Sequence, residues 1–175
     1  MLTAQEALIQ LQEGNQRFVE GKSTRNTNYA QRRNELVDGQ TPFAIILGCS
    51  DSRVPTEIVF DQGLGDLFVI RIAGNIVAPS QIGSIEFAVE TFQTPLVVVL
   101  GHTGCGAVAA TLNQIRQPQA SRSQHLRSIV ELIRPAVEPL SEIRTDLAHE
   151  HLLERAIRSN VCLLYTSPSP RDRSL

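Results

Sequence analysis

At 175 residues, with 42% apolar side chains and a formal charge of −2, the chain has the size and balance of one globular domain that buries most of its apolar surface on folding. No basic excess marks a nucleic-acid footprint, and no apolar run approaches the roughly 20 residues needed to span a bilayer. With no charged leader followed by an apolar stretch, the expected location is the cytoplasm, where three cysteines serve better as ligands or nucleophiles than as disulfide partners.

Near the N-terminus, Thr3 and Glu6 have the spacing of a capping box, and Ala4, Ala7, Leu8, Leu11 and Phe18 trace one apolar stripe. This predicts a helix to about residue 20, stopped by Gly21. Residues 29–37 predict a short second helix ended by Gly39. Residues 43–48 are continuously apolar and of strand length, the pattern of a parallel strand covered on both faces. A short helical segment opening at Pro55 follows, then a strand over residues 67–72, a loop at Ala73, Gly74 and Asn75, and a helix from Ser80 that ends before Pro95. Residues 96–101 form a third apolar run of strand length, and residues 105–115 read as helix. Residues 124–133 and 142–159 predict two further helices, separated by Pro135 and Pro139.

Strands alternating with helices give an α/β fold, a mostly parallel β-sheet core with right-handed crossovers and helices on its flanks. From residue 161 the helical period is lost and the composition turns rich in Ser, Pro and Arg. Residues 161–175 therefore read as a non-native tail on a truncated domain that spans residues 1–160.

Two of the apolar runs end in reactive groups, the first in Cys49-Ser50-Asp51-Ser52-Arg53 and the third in His102-Thr103-Gly104-Cys105-Gly106. Ligands of parallel sheets bind beyond the carboxyl ends of the strands, so Cys49, His102 and Cys105 are expected to converge. Two sulfurs and one imidazole are a known protein ligand set for catalytic zinc, with the fourth position left to water. Two thiolates offset the charge of the ion and weaken its pull on that water, so a neighbouring group must compensate. Asp51 can accept a hydrogen bond from the water or reach the metal itself, and Arg53 can hold it away through a bidentate pair.

Rival readings of the same residues fit less well. The glycines around His102 suggest a phosphate loop, but the Lys-Ser/Thr pair of a P-loop is missing, and no acidic ribose anchor lies about twenty residues on. A phosphatase-like Cys49 would want a more distant arginine, and Asp51 would repel the anion. A structural zinc would want a fourth Cys or His, and His125, His149 and His151 fall on expected surface helices. Cys162 has no ligand-type neighbour and receives no role.

The two motifs, with Arg71-Ile72-Ala73-Gly74-Asn75 between them, make residues 1 to about 160 resemble a β-class carbonic anhydrase. The resemblance implies one Zn²⁺ per chain on Cys49, His102 and Cys105, a catalytic dyad of Asp51 and Arg53, and a Gly106 N–H that helps place substrate. It implies reversible hydration of carbon dioxide to bicarbonate and a proton. Gln40, just before the first strand, matches the substrate-binding glutamine of the subgroup whose site stands open. The apolar substrate pocket of that subgroup maps onto Phe68, Ala73 and Phe87, where Phe87 replaces a tyrosine and Ala73 a larger aliphatic. The bicarbonate-regulated subgroup is less similar, and the chain has no tryptophan.

The resemblance further implies a homodimer or higher homo-oligomer with the N-terminal helices packing across its interface, and no nucleic-acid or membrane partner. Members of the family carry a further strand after the last helices, which this chain stops short of, so one sheet edge is expected to be unpaired. Two alternatives stay open: a non-catalytic zinc-containing binding or assembly subunit, and hydrolysis of a related small cumulene such as carbon disulfide.

Overall fold

The computed structural model describes residues 2–25, 28–117, 123–143 and 149–166. Their elements are α1 (Ala4–Val19), α2 (Tyr29–Glu35), β1 (Ala44–Gly48), α3 (Thr56–Val59), β2 (Leu67–Arg71), a 3-10 turn (Ala73–Asn75), α4 (Pro79–Phe92), β3 (Val97–Leu100), α5 (Gly106–Arg116), α6 (Gln124–Ile143) and α7 (His149–Thr166). The three strands form a parallel sheet in the order β2-β1-β3. Its register is set by the Phe43 N–H bonding the Asp66 carbonyl at 2.9 Å at one end of β1 and the Ile72 N–H bonding the Gly48 carbonyl at 3.1 Å at the other. All five residues of the central strand β1 are buried, which is why it reads as an unbroken apolar run without alternation. No helix among the described residues is long and apolar enough to cross a membrane.

The chain packs as two compact units. One comprises Met1–Leu47, Ser52–Ile70 and Pro79–Val98, and the other Gly48–Asp51, Arg71–Ala78 and Val99–Leu175. In the first, α1 opens with the capping box that its sequence predicts. The Glu6 N–H donates to Thr3 Oγ1 at 3.2 Å, and the Thr3 N–H donates to the Glu6 carboxylate at 2.7 Å. Gly14 is buried on α1 against the Phe60 backbone, where a Cβ would lie 1.8 Å from the Phe60 carbonyl oxygen.

Asp61 organises the loop that follows α1. Its buried carboxylate accepts from Arg17 Nε at 2.6 Å, from the Thr24 and Arg25 N–H groups at 3.0 and 3.1 Å, and from the Ser23 hydroxyl. Burial alone would raise its pKa, but these donors outweigh burial and hold the carboxyl well below the usual range. On the same unit, Phe68, Phe87 and Phe92 form a cluster with ring centroids 5.8–6.3 Å apart.

In the second unit, α5, α6 and α7 share a core built on Val108, Leu112, Ile133, Val137, Leu152, Ala156 and Ile157. Here α6 departs from expectation, because it runs through Pro135 and Pro139 where the sequence predicts a break. The missing proline N–H groups free the carbonyls of Glu131 and Pro135. Glu131 and both prolines are exposed, so water can take those carbonyls while Ile133, Ala136 and Val137 bury the other side of the helix. α7 also extends further than expected. It continues to Thr166, through the point where the helical period fades, with Leu163 packed against the core. Residues 167–175 of the expected tail lie outside the described residues.

Three stability measurements follow from this packing. Gly14→Ala is expected to lower the unfolding free energy by about 1–3 kcal/mol, the usual scale of overpacking against an immobile neighbour. Gly83→Ala, in the middle of α4 with nothing within 4 Å of the new Cβ, is expected to raise it by about 0.5–1 kcal/mol. Because the folded pKa of Asp61 is depressed, its contribution is complete above the ordinary Asp pKa of about 3.9 and is lost as pH falls below it. Asp61→Asn is therefore expected to flatten the acid limb of a Tm-against-pH profile.

Candidate metal centre

Cys49 is the first residue beyond β1, and the peptide groups around it are held from the side. Arg71, which closes β2, sends Nε to the Cys49 carbonyl at 3.0 Å and Nη2 to the Asp51 carbonyl at 2.6 Å. One planar guanidinium thus fixes the loop that carries both the thiol and the carboxylate. The Gly74 N–H donates to Cys49 Sγ at 3.3 Å. Gly74 has φ +71°, and a Cβ there would lie 2.6 Å from Ile133 Cδ1 and 3.0 Å from the Ala107 Cβ, so only glycine suits this turn. The Gly74 carbonyl in turn accepts from Asn160 Nδ2 at 2.9 Å.

His102 lies two residues beyond β3, with Nδ1 2.9 Å from the Thr103 carbonyl oxygen. That carbonyl can only accept, so Nδ1 carries a proton and Nε2 is the ring nitrogen that a metal would take. Nε2 is buried and has no hydrogen-bond partner among the described residues. Cys105 is the N-cap of α5 and is 1% exposed. The two sulfurs and an imidazole nitrogen lie within 4.8 Å of one another. Asp51 Oδ2 is 3.8 Å from His102 Nε2, too far for a hydrogen bond but at the edge of the same cluster.

The two thiols are driven apart in acidity. Burial pushes Cys49 up, but the adjacent His102 ring and the N–H groups of Gly74 and Asp51 outweigh it, and the net shift is downward. Cys105 is pushed up, by burial first and also by the neighbouring Cys49 sulfur, although the amides of Val108 and Ala107 offset part of the rise. Ionisation of Cys105 is opposed by burial and by the Cys49 sulfur, a conflict that a shared cation removes. Two soft sulfur donors and one imidazole, the three ligand-type groups that meet here among the described residues, match a tetrahedral, zinc-type ion with one position left open.

The remaining residues singled out by sequence are distributed over both units. Arg53 is exposed and belongs to the first unit, as do Gln40, exposed ahead of β1, Phe68, half-buried on β2, and Phe87, 54% exposed on α4. Ala73 and Gly106 belong to the second unit, and a Cβ on Gly106 would meet nothing within 4 Å, so the start of α5 faces open space. His125 and His151 are exposed on α6 and α7. Cys162 is exposed on α7 and, with His102, Ile157 and Val161, lines a cavity of about 390 Å³ beside the imidazole.

Sequence reasoning assigned no part to Arg71, to the Thr103 carbonyl or to Asn160. Arg71 was detectable as a charge at the end of an apolar strand. Asn160 was detectable as a polar residue on the apolar stripe of Leu152, Ala156 and Leu163. A backbone carbonyl leaves no trace in sequence.

The family model described as carbonic anhydrase matches residues 44–172. The carbonic anhydrase of Mycolicibacterium smegmatis is 46% identical over 127 residues, covering 73% of this chain and 61% of the relative. The chain thus spans about three fifths of the length of that mycobacterial relative. Among solved structures, the β-carbonic anhydrase CcaA superposes with a TM-score of 0.71 at 27% identity, over 95% of this chain and 76% of that one. One of two tetrameric β-carbonic anhydrases from the filamentous ascomycete Sordaria macrospora superposes with a TM-score of 0.61 at 29% identity, over 80% of this chain and 75% of that one. A parallel sheet whose strand ends bring two cysteines and a histidine together, and a family match over most of the sequence, lead to one conclusion: this chain belongs to the β-class carbonic anhydrases.

Proposed function

We propose that this chain holds one Zn²⁺ on Cys49, His102 and Cys105 and catalyses the reversible hydration of carbon dioxide to bicarbonate and a proton. The observation that carries the reading is the meeting, within 4.8 Å, of two buried sulfurs and an imidazole nitrogen that has no hydrogen-bond partner among the described residues. Membership of the family supports it. Bound zinc would supply a Lewis acid able to bring the pKa of a water towards about 7, and so hydroxide near neutrality.

The protein's own groups would do the rest. The carboxylate of Asp51, at the rim of the ligand cluster, would accept a hydrogen bond from that water and turn a lone pair towards the substrate carbon. Arg53 would hold Asp51 in that role through a bidentate pair and keep it from competing for the metal. By gripping the carbonyls of both Cys49 and Asp51, Arg71 would keep sulfur and carboxylate in constant relation while the proton moves. The first amides of a helix have no intrahelical acceptor, which suits the Gly106 N–H to a substrate oxygen. Gln40 would take the other oxygen, and Phe68, Ala73 and Phe87 would offer an apolar surface to the linear, uncharged substrate. A homodimer or higher homo-oligomer belongs to the same reading, supported by the tetrameric Sordaria structures.

Elemental analysis of purified protein is expected to give about one zinc per chain, and stopped-flow hydration with a pH indicator is expected to detect turnover. Cys49→Ala is expected to lose both metal and activity, and full activity in that variant would overturn the assignment. Asp51→Asn is expected to keep the metal while kcat/KM falls by about 10²-fold or more, the scale of a lost proton acceptor. Removal of metal with dipicolinate should abolish hydration, and added Zn²⁺ should restore it. Comparing turnover on carbon dioxide and carbon disulfide distinguishes the hydratase from a hydrolase of related cumulenes.

A further inference from the structure

We infer that Asn160 is a positioning residue for the metal centre, acting through the Gly74 turn on the sulfur of Cys49. The inference rests on the reading of Cys49 as a metal ligand. Asn160 is 1% exposed and sits on the apolar stripe of α7, where leucine or alanine would pack without leaving polar atoms to satisfy. Its Oδ1 is buried and has no hydrogen-bond partner among the described residues. The side chain's one bond found there is the 2.9 Å contact from Nδ2 to the Gly74 carbonyl. A buried amide kept for a single bond points to the group at the other end of that bond.

That group is a backbone turn that would not hold its shape alone. Gly74 and Asn75 are successive residues with positive φ, +71° and +42°, and the Asn75 side chain is buried with its Nδ2 unpartnered among the described residues. Ile133 from α6 and Ala107 from α5 press on Gly74 and leave no room for a Cβ, while Asn160 from α7 anchors its carbonyl. With the turn so held, the Gly74 N–H points at Cys49 Sγ from 3.3 Å. A hydrogen bond to a ligand sulfur orients its lone pairs and tempers its electron donation, so an error in the turn is passed to the metal.

The adjacent residue supplies a control. Ser159 Oγ donates to the Ala136 carbonyl at 2.7 Å, which ties α7 to α6 without touching the turn. Asn160→Leu, with Asn160→Ala for the case in which leucine is not accommodated, is compared with Ser159→Ala and the parent chain. Three quantities are measured: exchange of the Gly74 amide in metal-free protein by NMR, Zn²⁺ affinity by chelator competition, and the thiolate-to-metal charge-transfer band with Co²⁺ as the probe. The Asn160 variants are expected to speed Gly74 exchange at least about tenfold, weaken Zn²⁺ binding about 10- to 100-fold and shift the band. Ser159→Ala is expected to lower thermal stability and leave all three readouts at parent values. Parent-like Gly74 protection in the folded Asn160 variants overturns the coupling whether or not metal binds, and so does an equal response from Ser159→Ala. A parent chain that takes up neither ion, with Gly74 exchange still governed by Asn160, overturns instead the zinc reading and, with it, the metal-site role.

Discussion

Two sulfurs and one imidazole nitrogen buried side by side make an arrangement that protons satisfy poorly. The Cys49 thiol is shifted down, the Cys105 thiol is pushed up by burial and by the Cys49 sulfur, and His102 Nδ1 donates to the Thr103 carbonyl. A cation shared by all three resolves the conflict at once. The structural features around the site can be read as the means by which a folded chain holds such groups together before the ion arrives.

Those means are mostly backbone contacts. The parallel sheet sends β1 and β3 in the same direction, so the residues that follow them leave at the same end. Arg71 then grips the Cys49–Asp51 loop by its carbonyls, the Gly74 turn donates to sulfur, and the start of α5 turns its amides towards Cys105. Each restraint fixes a donor atom without using up the lone pair that a metal needs. The three-helix packing of α5, α6 and α7 therefore acts on the site as well as on stability, because all three helices touch Gly74.

A comparison of Asp61 with His102 shows how burial can serve opposite ends. The Asp61 carboxylate is surrounded by donors from Arg17, Ser23, Thr24 and Arg25 until nothing is left to bind. Its neighbours make it a fastener for the loop after α1. His102 Nε2 is buried as well, yet it accepts or donates no hydrogen bond among the described residues. Satisfied burial marks structure, and unsatisfied burial beside two thiols marks a place prepared for a ligand.

The linear order of residues was enough to determine the class of fold, because a doubly covered strand must be apolar throughout and an amphipathic helix must repeat its stripe. It also determined which residue types could meet, since Cys49, His102 and Cys105 all follow apolar runs that end at the same edge of the sheet. What it could not determine was the path of α6 through Pro135 and Pro139, or the reach of α7 to Thr166. In both, burial of one helix face against its neighbours outweighs the local signal to stop. Nor could it reveal Arg71 on the carbonyls, the Thr103 carbonyl that selects the imidazole tautomer, or Asn160 behind Gly74. These contacts join residues as many as 86 positions apart, or involve main-chain atoms that every residue shares, so only the folded arrangement decides them.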